Sequence, residues 1–124
     1  MYSGEYLMAE ETIFTKIING EIPAQKIYED EYCICIKDIQ PKAPTHVLLI
    51  PKKAIPRLAD ANIEDQQLLG HLMIKAGEIA HQLGVDDAFR LIVNNGANAG
   101  QTVFHLHLHL LGGTTFSEGS LEMT

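Results

Sequence analysis

The run FHLHLHLLGG, residues 104–113, constrains this chain more than any other stretch. Side chains alternate across a β-strand, so a period of two sends His105, His107 and His109 to one face and Leu106, Leu108 and Leu110 to the other. Such a strand needs an apolar layer beneath its leucines and leaves its imidazoles for chemistry. Other segments supply that layer. THVLLIPK (45–52) is almost continuously apolar, the pattern of a strand covered on both faces in the middle of a sheet. AQKIYED and YCICIKDI meet at a charged turn and read as a hairpin, whose second strand sets Cys33, Cys35 and Lys37 opposite Ile34, Ile36 and Asp38. AFRLIVNN is a further strand ahead of the histidines.

Two helices complete the pattern. Thr12 caps IFTKIING, which aligns Phe14, Ile17 and Ile18 on one side and stops at Asn19-Gly20. A long helix is expected from near Asn62 to Gly84, since Leu68, Leu72, Ala76, Ile79 and Leu83 recur at helical spacing. Gly70 and Gly77 lie on another side of it and permit close approach of a neighbouring element. Strands grouped on either side of one long helix predict an α+β domain with a mostly antiparallel sheet.

A length of 124 residues fits one domain. A formal charge of -7 argues against a polymeric nucleic-acid partner, which would need clustered cations. No apolar run approaches the ~20 residues of a membrane span, and the opening MYSGEYLMAEE lacks the basic start and apolar centre of a signal peptide. The chain is therefore expected to be soluble. Met8 is an alternative start. Cys33 and Cys35 are i, i+2 neighbours on an extended strand, too far apart for good disulfide geometry, and read as reduced thiols of a cytoplasmic protein.

Three alternating imidazoles admit two chemistries. Zinc is one, but His105 and His109 would stand about 13 Å apart along an extended strand, which suits a pair of ligands better than all three. Nucleophilic and acid–base work is the other, with repulsion from the outer rings keeping the central His107 unprotonated. The preceding loop favours the second. Asn94, Gly96, Gly100, Gln101 and Thr102 offer amide and hydroxyl donors together with glycines that let the backbone approach an anion such as phosphate. Asp38 is placed to accept two adjacent hydroxyls, and Phe14 and Ile17 to wall an apolar slot. His46, at the start of a buried strand, is a candidate partner for another imidazole. His71 and His81 read as structural or solvated.

QTVFHLHLHLLGG resembles the histidine triad signature, and its LGG ending resembles the Hint (histidine triad nucleotide-binding) branch. ETIFTKIINGEIPAQKIYEDEYCICIKDIQPKAPTHVLLIPKK, LLGHLMIKAGEIAHQLG and FRLIVNNGANAGQTVFH resemble Hint segments in matching order, so the likeness spans residues 11–113. Residues 1–10 are then an N-terminal extension and candidate for disorder, and 114–124 a C-terminal tail. The resemblance implies a five-stranded sheet with one long and one short helix, joined to a second copy in a homodimer, and no catalytic metal or other cofactor.

It further implies a purine nucleoside phosphoramidase that forms a nucleotidyl-histidine and hydrolyses it to a monophosphate. In that scheme His107 attacks, His109 contacts phosphate and leaving group, His105 supports the nucleophile from the same strand, and His46 is hydrogen-bonded to it. Asp38 binds the ribose, Asn94 and Thr102 lie on the phosphate side, and Phe14, Ile17, Ile36 and Ile39 form the base pocket. Ala54 stands where many Hint proteins carry another histidine. The third histidine favours hydrolysis over nucleotidyl transfer. Dinucleoside polyphosphate hydrolysis, and a zinc- or nucleotide-binding regulator with little activity, are the rival functions.

Overall fold

The computed structural model describes residues 11–119. The expectations for residues 1–10, Met8 included, and for the last residues of the tail lie outside the described residues. Helix α1 spans Ile13–Ile18, and strands β1 Lys26–Glu29, β2 Cys33–Lys37 and β3 Thr45–Pro51 follow. Helix α2 runs Gln66–Gln82, and β4 Phe89–Ile92 and β5 Leu108–Gly112 close the order. The strands form one antiparallel sheet in the order β1-β2-β3-β5-β4. The expected α+β architecture is thus present, with the histidine strand inside the sheet.

Thr12 caps α1 as its sequence implies, with Thr15 completing a reciprocal capping box, and Gly20 closes the helix at φ 81°. At the β1–β2 turn, Asp30 accepts hydrogen bonds from the Tyr32 and Cys33 amides, the Tyr28 hydroxyl and His71 of α2. Partial burial pulls against ionisation there, but these donors hold its carboxyl well below the usual carboxylate range. His71 is therefore a clamp between hairpin and helix. The exposed His81 lies 3.1 Å from Asp86.

Alternation sorts the sheet into two layers. Cys33, Cys35, Val47, Leu49, Leu108 and Leu110 face α2, where Leu72, Ala76, Ile79 and Ala80 are buried against them. Ile34, Ile36, Leu48 and Ile50 face the other way and pack with Phe14 and, at the margin, Ile17 and Ile18 of α1. Both cysteines are unpaired and buried. The long helix begins later than expected, because Asn62 caps a 3-10 turn at Ile63–Asp65 that only then feeds α2. Gly70 and Gly77 have nothing within 4 Å of where a Cβ would stand, so within the chain the close packing expected of them does not occur. No helix of the described residues is long and apolar enough to cross a membrane.

Candidate active site

The strand expected over FHLHLHLLGG is regular only from Leu108, and His105 and His107 precede it on irregular backbone. Its hydrogen bonds explain the correction. The end of β3 and the segment after it present carbonyls that take over from a sheet partner: Pro51 accepts from His105 Nε2 at 2.8 Å, Ile55 from the Leu106 amide at 2.6 Å, and Pro56 from Gln101 Nε2 at 2.7 Å. Nor is there one core face and one open face. Residues 105–108 are all buried, His105 completely, and only His109 of the triad is half-buried.

The hydrogen bonds fix where each proton sits. The Lys42 amide donates to His46 Nδ1 at 2.9 Å, so neutral His46 carries its hydrogen on Nε2. That atom lies 3.0 Å from His109 Nδ1 and 3.3 Å from an Asp38 oxygen. His109 Nδ1 therefore accepts, which leaves the His109 hydrogen on Nε2. His107 Nδ1 donates to the His105 carbonyl at 2.7 Å, leaving the lone pair of His107 on Nε2. His105, donating through Nε2, accepts at Nδ1 from the Thr12 hydroxyl at 3.3 Å. His46 thus partners His109 rather than the central ring, and His105 meets His107 through its backbone.

Burial keeps these rings neutral. It lowers the pKa of His107 against the opposing pull of its carbonyl acceptor and of Asp38, and lowers His105 and His46 likewise. His109 is pushed down to about 4, by burial first and then by the neighbouring His107 and His46. Desolvation, not repulsion from the outer rings, is what holds His107 unprotonated.

Phe14 meets the His107 ring edge-on with centroids 4.9 Å apart, and shares an apolar cluster with Ile36 and Ile17. Ile39 is not in that cluster; it is 92% exposed on the turn after β2. Asn94 is half-buried against Gly100, whose φ of 97° requires glycine, and Thr102 is exposed beside them. Gln101, expected among the ligand donors, has its side chain used internally. Its oxygen accepts from the Gly96 amide at 2.8 Å, and its nitrogen donates to Pro56 and Val103 carbonyls. Sequence reasoning had no access to the Lys42 amide or the Pro51 and Ile55 carbonyls, and it read Thr12 only as a helix cap. A separate cavity of ≈ 310 Å³ touches Asp38 and His46 but is otherwise lined by residues such as Lys37, Pro44 and Leu83, without the triad.

Among the described residues, two clusters bring three potential metal ligands within 4.8 Å of one another. In Asp38, His46 and His109, the Lys42 amide keeps a hydrogen on the His46 nitrogen that would have to ligate, so the donor set fits a proton relay better than a cation. In Asp30, Cys33 and His71, burial pushes the Cys33 thiol up to about 12, and the Asp30 oxygens already receive donors.

Comparison with known proteins follows the same lines. A family model described as the HIT domain matches residues 19–116. A HIT-like protein of Synechocystis is 63% identical over 110 residues, covering 89% of this chain and 96% of its own. The purine nucleoside phosphoramidase of Escherichia coli K12 is 49% identical over 107 residues, 86% of this chain and 90% of its own. The solved structure of a HIT family hydrolase from Clostridium thermocellum superposes with a TM-score of 0.87 at 46% identity, covering 91% of this chain and 99% of that one.

Proposed function

Because the chain belongs to the HIT domain family and is a hydrolase of that family, we propose that it cleaves purine nucleoside 5′-phosphoramidates to the nucleoside monophosphate and an amine. One observation carries the reading: the hydrogen-bond pattern gives His107 a lone pair, and His109 a hydrogen, on Nε2. His107 Nε2 attacks the α-phosphorus as the phosphorus–nitrogen bond breaks, while His109 Nε2–H donates a hydrogen bond to the departing nitrogen, which takes its proton from water. A second water then attacks the phosphorus–histidine bond, releasing its proton to solvent and restoring the lone pair of His107. Asp38 receives the ribose hydroxyls, the base enters the apolar slot at Phe14, Ile17 and Ile36, and Asn94, Gly100 and Thr102 receive the phosphate. His46 keeps His109 in its donating tautomer. The identity to the Escherichia coli phosphoramidase supports this substrate class.

The test is to incubate the protein with adenosine 5′-phosphoramidate and with a diadenosine polyphosphate side by side. Faster release of AMP from the phosphoramidate is expected; preference for the polyphosphate overturns the assignment. The pH profile is a second check. Protonation of His107 removes the attacking lone pair, and burial lowers its pKa, so kcat/KM should hold through neutrality and fall on the acid side of the free-imidazole value of ~6.5. An acid limb centred at or above that value contradicts the buried nucleophile. Circular dichroism at each pH is a necessary control, since unfolded imidazoles bind protons first as pH drops and folding loses stability through the same window.

We also propose that the hydrolase is a cytoplasmic homodimer. On α2 the exposed Met73 and Ile74 lie in one stretch with Gly70 and Gly77, which have open space beyond them. An apolar helix face of this kind fits a second copy packed about a two-fold axis. Ile74→Glu is expected to halve the mass measured by light scattering; a monomeric wild type refutes the dimer.

A further inference from the structure

We propose that the Thr12 hydroxyl is a positioning residue for the triad, holding the His105 ring so that the His105 carbonyl stays aimed at His107 Nδ1. The inference rests on His107 acting as the nucleophile. His105 is fully buried, and both of its ring nitrogens are engaged: Nε2 donates to the Pro51 carbonyl and Nδ1 faces the Thr12 oxygen at 3.3 Å. Since a carbonyl only accepts, Nε2 must carry the hydrogen, and only an O–H donated by Thr12 satisfies Nδ1. The same oxygen accepts from the Thr15 amide at 3.2 Å and, with its own hydrogen given to His105, from the Thr15 hydroxyl at 3.3 Å, so one hydroxyl serves as helix cap and imidazole donor at once.

A ring pinned at both ends restrains its own backbone, and the His105 carbonyl is the group that keeps the hydrogen of His107 on Nδ1. Thr12 also begins the helix bearing Phe14, which touches both the His105 and His107 rings. Thr12 touches no reacting atom. Its effect passes through His105 into the nucleophile's tautomer, and a loss there misaligns the attacking lone pair.

The experiment must separate this from capping alone. Thr12→Val keeps the shape but loses donor and cap; Thr15→Val damages the capping box while leaving the Thr12–His105 pair; Thr12→Ser keeps both functions. Thr12→Val is expected to lower kcat by on the order of tenfold to a hundredfold with KM little changed. Thr12→Ser should restore turnover, and Thr15→Val should lose thermal stability but keep kcat. In ¹⁵N NMR the His107 ring should hold the Nδ1–H form in wild type, Thr12→Ser and Thr15→Val, and lose that preference in Thr12→Val. If Thr12→Val retains both turnover and tautomer, or if Thr15→Val loses as much activity, the proposal is overturned. The NMR arm needs no substrate: a tautomer change in Thr12→Val with a wild type inactive on phosphoramidates sinks the substrate assignment and leaves this inference standing.

Discussion

Replacing His107 with alanine is expected to lower turnover of adenosine 5′-phosphoramidate by about a thousandfold or more, the scale seen when a covalent nucleophile is removed. His107 is proposed to be the group that bonds to phosphorus, and its geometry prepares it for that alone: Nδ1 is committed to the His105 carbonyl, and burial keeps the ring unprotonated. Neighbouring rings cannot substitute. His105 has both nitrogens engaged and is fully buried, while His109 accepts from His46 and carries its hydrogen on the other nitrogen. The check is single-turnover kinetics, with mass spectrometry of the quenched wild type to find the nucleotidyl adduct on a peptide containing His107. Comparable activity in the alanine variant, or an adduct elsewhere, refutes the mechanism.

Gln101→Glu should be nearly as damaging by a different route. The Gln101 side chain is 3% exposed and ties three places together, the Gly96 amide and the Pro56 and Val103 carbonyls. Glutamate preserves the shape and the acceptor for Gly96, but turns the two donated bonds into an oxygen facing two carbonyl oxygens. An unpaired buried charge costs about 3–5 kcal/mol. The sign with pH follows. The new carboxyl is harder to ionise folded than unfolded, so the deficit grows as pH rises through the usual carboxylate range and shrinks in acid. Urea denaturation at pH 5 and pH 8 measures it; a deficit that is small and independent of pH would show that Gln101 does not brace the loop.

Period and punctuation carried most of the fold. Alternating Cys33–Ile36 and the apolar Val47–Ile50 are legible as strands because a sheet buried on both sides demands those patterns, and Thr12 and Gly20 mark α1 because caps are local chemistry. Length of pattern was less reliable. Alternation through residues 104–113 is real, yet the backbone of His105 to His107 departs from the sheet, because its donors meet carbonyls from residues 51–56 that no local pattern announces. The site divides the same way. His46, Asp38 and His109 could be nominated by residue type, and the structure brings them together. Ile39 was nominated on resemblance and stands exposed, while Gln101 was nominated for its amide and spends it inside the loop. Tautomers depend on which backbone amide or carbonyl arrives from elsewhere, and that is a property of the closed sheet.

The bonds around the imidazoles join residues far apart along the chain: 63 positions separate His46 from His109, and 93 separate Thr12 from His105. Closing such loops is entropically costly and comes late in the ordering of a polypeptide. A ribosome must therefore release nearly the whole domain before these imidazoles can meet, and a nascent chain short of residue 105 carries none of the three alternating histidines. Proteolytic nicking between the two halves would silence the hydrolase wherever the fragments part.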